Sequence, residues 1–167
     1  SAYDRAMQRF PDARRQEFEQ AVSRAGIVPN MVVADVPAGG GYLQRYLPHG
    51  CVCLGHEPCA SFTDHRAGSG SGSPTPLLPL PWQDASIDVA ITLAGIHHVA
   101  DKRPLFAELR RVVKPGGTLL VSDVASGSSV ARFLDGFVGD NNSTGHEAVY
   151  LDERTLQELR ETGWRVR

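Results

Sequence analysis

Cysteine is scarce in this chain: Cys51, Cys53 and Cys59 are the whole complement, confined to nine consecutive positions. An odd number so clustered cannot form a disulfide framework. His49 and His56 interleave with them, but the spacing matches no zinc-binding pattern, so the three are read as buried or surface thiols and no metal is expected. Long apolar runs are also missing. The longest, residues 87–96, is broken by Asp88, Thr92 and Gly95 and falls well short of the ~20 residues that cross a bilayer. The first fifteen residues are charged and lack the apolar centre of a signal peptide. A cytoplasmic protein without a membrane segment is therefore the expectation. Nor is there an excess of one charge: 17 Lys and Arg stand against 19 Asp and Glu, a net charge of −2. That balance argues against a dedicated nucleic-acid binder that works by neutralising phosphates.

What is present suits one compact domain over residues 1–167, with 41% apolar and 22% charged residues. Residues 12–25 place Phe18, Ala21, Val22 and Ala25 at helical spacing before Gly26. Residues 31–36 form a short β-branched run closed by Pro37 and glycines, which predicts a buried strand. A helix over 42–47 and a strand over 51–55 follow. Residues 67–76, AGSGSGSPTP, have linker composition; a native loop, an engineered replacement and a junction are all open readings. A strand over 87–93 precedes an amphipathic helix over 103–114, carrying Leu105, Phe106, Leu109, Val112 and Val113 on one face. Another strand covers 118–124 and a last helix covers 152–162, with Asp152 as its cap and Gly163 as its stop. Residues 125–150 read as irregular. Strands alternating with helices predict an α/β, Rossmann-like, doubly wound and mostly parallel sheet with helices on both faces.

In such a sheet ligands bind at the carboxyl ends of the strands, and the first strand-to-helix turn is the usual cofactor site. Here that turn runs from Asp35 through Pro37, Ala38, Gly39, Gly40 and Gly41 to Tyr42. Two readings are open: a tight turn that packs helix on strand, or a backbone that approaches a ligand closely. Glu57 at the end of the next strand favours the second, because one carboxylate accepts hydrogen bonds from both hydroxyls of a ribose. A dinucleotide fingerprint needs a further glycine where Gln44 stands, and no GxxxxGK[ST] phosphate loop occurs. A nucleoside without a pyrophosphate fits better, which places a nicotinamide-dependent oxidoreductase third.

Residues 33–43, VADVPAGGGYL, resemble the first motif of class I S-adenosylmethionine-dependent methyltransferases, type 11-like, commonly D-x-G-x-G-x-G. Residues 80–89, LPWQDASIDV, are similar to that family's LPF-x-D-x-SFD-V passage. Residues 95–99, GIHHV, resemble its LHH loop, and 109–117, LRRVVKPGG, its RVLKPGG helix and turn. The resemblance implies S-adenosylmethionine as cofactor, with S-adenosylhomocysteine as product. It places Asp35 and the backbone of Ala38, Gly39, Gly40 and Gly41 near the methionine part, Glu57 on the ribose, Pro58 beside the adenine and the backbone of Leu93 near the sulfonium. The chain departs from the pattern at Pro37, which replaces the first glycine, and at Pro76 and Leu77, where an acidic reader of the adenine amino group often stands. Three residues after Trp164 are too few for the family's terminal antiparallel hairpin.

The implied activity is methyl transfer to a small-molecule nucleophile, with a non-catalytic partner or scaffold of the same fold as the alternative. Displacement at a sulfonium needs orientation, and a general base only where the nucleophile carries a proton. His98 and His146 are the candidate catalytic residues; loop-holding and solvent-exposed roles are the competing readings. Residues 1–30 would form an N-terminal helical cap, with Tyr3, Asp4 and Arg5 as part of a lid. Residues 125–150 would form a variable substrate or lid segment, and Trp82 and Phe133 are candidates for an apolar substrate pocket.

Overall fold

The computed structural model describes residues 2–59, 76–141 and 148–167, with side chains from Arg5 onward. Four strands, β1 (Val32–Asp35), β2 (Val52–Gly55), β3 (Ile87–Leu93) and β4 (Val113–Ser122), form one parallel sheet in the order β2-β1-β3-β4. β3 is buried along nearly its whole length, as a parallel strand covered on both faces must be, and this is why its sequence does not alternate. Register is fixed across the middle of the sheet, where Ala34 lies between Leu54 and Ala90. Asp88 helps to set it. Its Oδ2 accepts from the Val32 N–H at 2.8 Å and its Oδ1 from Lys114 Nζ at 2.6 Å. The Lys114 hydrogen bond, and then the Val32 N–H, hold this carboxyl below the usual carboxylate range.

Neighbouring strand residues point to opposite faces, and each face has its own cover. Val33, Val89, Ile91 and Leu93 pack with Met7 of α1 (Ala2–Arg9), Phe18 and Ala21 of α2 (Arg15–Arg24), and Leu43 of a 3-10 turn (Tyr42–Tyr46). Ala34 and Ala90 pack with Leu105, Phe106 and Leu109 of α3 (Arg103–Val112) and with Leu159 of α6 (Glu153–Glu161). The layered α/β arrangement matches the expectation.

Several boundaries differ. The segment after the glycine cluster is a five-residue 3-10 turn rather than an α-helix, ending at Leu47 in extended conformation just before Pro48, because the residue before a proline is pushed out of the helical region. β4 starts at Val113 rather than 118: Ile87 pairs with Val113, and Val89 then pairs with Thr118. The Lys114–Gly117 turn is thus a bulge inside the strand. Gly117 is required there, since a Cβ would lie 2.6 Å from Val113 Cγ1 and 2.7 Å from the Asp88 carbonyl.

Helical structure also occupies 129–141, read from sequence as irregular: α4 (Ser129–Phe133), a π-helical turn (Leu134–Val138) and α5 (Gly139–Asn141). Gly136 and Gly139 hide the helical signal in propensity terms, while Ser128 caps the start by accepting from Ala131 N at 3.0 Å. α6 begins as expected, with Asp152 accepting from Thr155 N in a capping box. Among the described residues no strand follows α6, and none of the helices is long and apolar enough to cross a membrane. Most of the 67–76 linker and His146 lie outside the described residues.

Candidate functional site

Strand order reverses between β1 and β3, so their connections diverge and leave a crevice at the carboxyl edge. A cavity of about 660 Å³ occupies it. The end of β1 and its turn supply Asp35, Pro37, Ala38, Gly39 and Gly40, the end of β2 supplies Glu57, Pro58 and Cys59, and the end of β3 supplies Leu93, Ala94 and Gly95. His98 and Val99 close one side, Leu77 another, and Arg14 and Phe18 from the N-terminal helical layer cover it together with Tyr42 of the 3-10 turn.

The turn is shaped by backbone hydrogen bonds. His56 N donates to the Asp35 carbonyl, and Ala38 N donates to the His56 carbonyl, each at 3.0 Å. Gly39 and Gly41 then take φ values of 51° and 68°, a region that costs other residues energy. The Glu57 carboxylate reaches across from β2: Oε2 accepts from Gly39 N at 2.6 Å and Oε1 from Cys59 N at 2.8 Å. Sequence spacing put Glu57 at the strand end; only the fold shows that it also fastens the glycine turn. Pro37, the departure from the family motif, packs on Gly95, where a Cβ would lie 2.3 Å from Pro37 Cγ. Gly95→Ala is therefore expected to destabilise the fold by about 1–3 kcal/mol through overpacking, measured as a lower denaturant midpoint with unchanged slope.

The two adjacent histidines touch, with ring centroids 4.1 Å apart, but differ in burial and partners. His97 is buried, and its Nδ1 lies 2.6 Å from Asp123 Oδ1. Asp123 Oδ2 accepts from the N–H groups of Gly95, Ile96 and His97 at 2.9, 2.8 and 3.1 Å. Burial of Asp123 opposes ionisation, but the hydrogen bond to His97 and the Val124 N–H outweigh it, and its carboxyl lies below the usual range. His97 thus belongs to the clamp that shapes the loop, whereas His98 is exposed and lines the cavity. On the β2 side, buried His56 directs Nε2 to the carbonyls of Pro76 and Leu77, both at 3.1 Å, which requires a proton on that nitrogen. This strap holds Leu77 against the cavity, next to Pro76 at the position where the family often has an acidic residue.

Of the sequence-derived residues, Asp35, Ala38, Gly39, Gly40, Glu57, Pro58, Leu93 and His98 are brought together around the cavity. Gly41 stands behind it, donating to the Ala38 carbonyl at 2.8 Å and capping the 3-10 turn. Trp82 packs against the core and Phe133 is exposed on α4, neither of them on this cavity. The N-terminal cover comes from Arg14 and Phe18 rather than from Arg5; side chains of Tyr3 and Asp4 lie outside the described set. No motif marks Arg14 or Phe18, although the helical periodicity of 12–25 already placed Phe18 on an inward face; Tyr42 closes the glycine motif.

A family profile described as a methyltransferase domain matches residues 34–121, which is 88 of the 167 residues. The chain is 33% identical over 108 residues to the O-methyltransferase resE of Aspergillus sclerotiorum, covering 60% of this chain and 38% of that protein. It is 31% identical over 111 residues to the ubiquinone/menaquinone biosynthesis C-methyltransferase UbiE of Bordetella avium, covering 60% of this chain and 43% of that protein. The chain thus spans about two fifths of the length of these relatives. A SAM-dependent methyltransferase of Thermotoga maritima, described as a possible histamine N-methyltransferase, shares the fold with a TM-score of 0.68, at 21% identity and over 99% of this chain and 77% of that one. With the profile match spanning the glycine turn, His97 and His98, and β4 up to Val121, this chain belongs to the class I S-adenosylmethionine-dependent methyltransferases.

Proposed function

We propose that the cavity binds S-adenosylmethionine and that the protein directs its methyl group to a small-molecule nucleophile. The observation that carries this reading is the Glu57 carboxylate, placed on the cavity wall at the end of β2 while it fastens Gly39. A carboxylate has about four lone-pair sites, and the hydrogen bonds to Gly39 and Cys59 use two of them. Capacity for a ribose diol is left. The flanking Pro58 and Leu77 offer apolar surface to a nucleobase, and Asp35, only 4% exposed yet on the cavity wall, supplies negative charge where a cationic group would lie. These features suit a cationic nucleoside better than a pyrophosphate, which would call for positive charge and free N–H donors.

When bound, the cofactor supplies an electrophilic methyl group on a cationic sulfur. The protein's own part is placement and exclusion of water. The turn at 38–41 and the Leu93–Gly95 backbone fix one reactant, while Phe18, Tyr42 and Val99 shield it from solvent. The His98 imidazole can accept a proton from a nucleophile that carries one. Calorimetric titration with S-adenosylhomocysteine tests the reading: saturable one-to-one binding is expected, and an absence of binding heat from a folded sample would overturn it.

A further inference from the structure

Among the described residues Lys102 stands out as a fully buried long side chain, 1% exposed. Its backbone starts α3, with the Lys102 carbonyl accepting from Phe106 N at 2.9 Å, but its side chain turns inward. Nζ donates to the carbonyls of Val99 and Val149, both at 2.9 Å. An ammonium without water is unfavourable unless its protons are taken up, and an apolar side chain would fill the same space without that penalty. What the ammonium achieves here is a junction between two backbone segments distant in sequence. Val99 lines the cavity beside His98. Val149 is gripped on its other side as well, since its N–H donates to the His97 carbonyl at 2.7 Å. Beyond it, Tyr150 donates to Asp135 at 2.5 Å and so reaches the helical stretch 129–141. Burial pushes the Lys102 ammonium below its usual pKa, and the carboxylates of Glu158, Asp123 and Asp152 offset only part of that penalty.

We propose that Lys102 is a positioning residue that clasps Val149 to the cavity loop, so that the loop carrying His98 and the 149–151 stretch move as one unit. Occupation of the cavity is then felt at Val149, and rearrangement of the 149–151 stretch is felt at His98. The clasp itself is independent of the ligand, while its consequence for the acceptor side of the cavity rests on the methyltransferase reading.

Amide hydrogen exchange on the whole chain tests this in two arms. Without ligand, Lys102→Met is expected to speed exchange of the His97–Val99 and Val149–Leu151 amides at least tenfold and to leave β1 and β3 within twofold. With S-adenosylhomocysteine, wild type is expected to gain protection both at 39–41 and at Val149. In Lys102→Met the first gain persists and the second is lost, a result that a purely structural lysine would not produce. Unchanged exchange at Val149, a uniform increase across the sheet, or retained ligand protection at Val149 in the variant would each overturn the clasp. If the ligand protects no amide in wild type, the cofactor reading fails instead, and the ligand-free arm still decides the clasp. Should Lys102→Met not fold, Lys102→Gln keeps a donor and is expected to show intermediate exchange; wild-type protection in that variant would count against the proposal.

Discussion

Glu57→Ala is expected to weaken S-adenosylhomocysteine binding ten- to a hundredfold in a calorimetric titration, about 1.4–2.8 kcal/mol. Two losses add in this variant. Hydrogen bonds from a charged acceptor contribute about 1.5–3 kcal/mol, and any made to the ribose vanish. The Gly39 N–H, held at 2.6 Å by the same carboxylate, also loses its partner, so the turn must be ordered by the ligand rather than before it arrives. Glu57→Gln separates the two: its amide oxygen can keep the Gly39 contact, while its NH2 can no longer accept from a hydroxyl. The glutamine variant should therefore fall between wild type and alanine. Equal affinity of all three proteins would show that the ribose is held elsewhere.

Asp123→Ala is expected to lower global stability by about 3–5 kcal/mol in denaturant unfolding, because several backbone N–H donors lose a charged acceptor at once. The carboxylate accepts from four backbone N–H groups, those of Gly95, Ile96, His97 and Val124, and lies 2.6 Å from His97 Nδ1. Its side chain is 0% exposed, so water cannot replace it without opening the loop. Asp123→Asn should recover part of the loss, because one oxygen still accepts. The two variants also predict a pH dependence. A carboxyl depressed in the folded state adds stability that is present above its unfolded value, near 4, and is lost as pH falls through the folded value. Acid titration of the wild type should therefore show a steep loss of stability below about pH 4, to which Asp123 contributes. Asp123→Asn is expected to flatten that limb without abolishing it, because Asp88 and Glu108 are depressed too, by Lys114 and Arg111 hydrogen bonds respectively. An acid limb of unchanged slope in the asparagine variant would refute the assignment.

Asp123 and Lys102 were invisible as site residues in the sequence, and the reason is instructive. The sequence reading places Asp123 near the end of a strand over 118–124 and Lys102 just before an amphipathic helix, positions where a polar residue is ordinary. What distinguishes them is a partner reached across the fold: Asp123 meets residues 95–97, and Lys102 meets Val149. Glu57 was partly legible, since its place after β2 is a local feature, but its grip on Gly39 was not. The helix at 129–141 was missed for a different reason. Its glycines lower the local propensity, and tertiary anchors such as Tyr150 on Asp135 and buried Ala131 accompany the helix that the sequence disfavours.

Sequence alone determined the elements that depend on near neighbours: a buried strand over 87–93 and one within 31–36 from β-branched runs, α3 from its apolar spacing, the Asp152 cap, and the glycine turn where backbone freedom is needed. The ordered motifs also determined the family. Tertiary structure decided which face of the cavity each group occupies, that His97 is clamped while His98 faces the cleft, and that Arg14 and Phe18 cover the site. The physical reason is reach. Propensity and periodicity act over a few residues, whereas strand register and packing set which distant polar groups meet, and a buried carboxylate or ammonium takes its role from those partners.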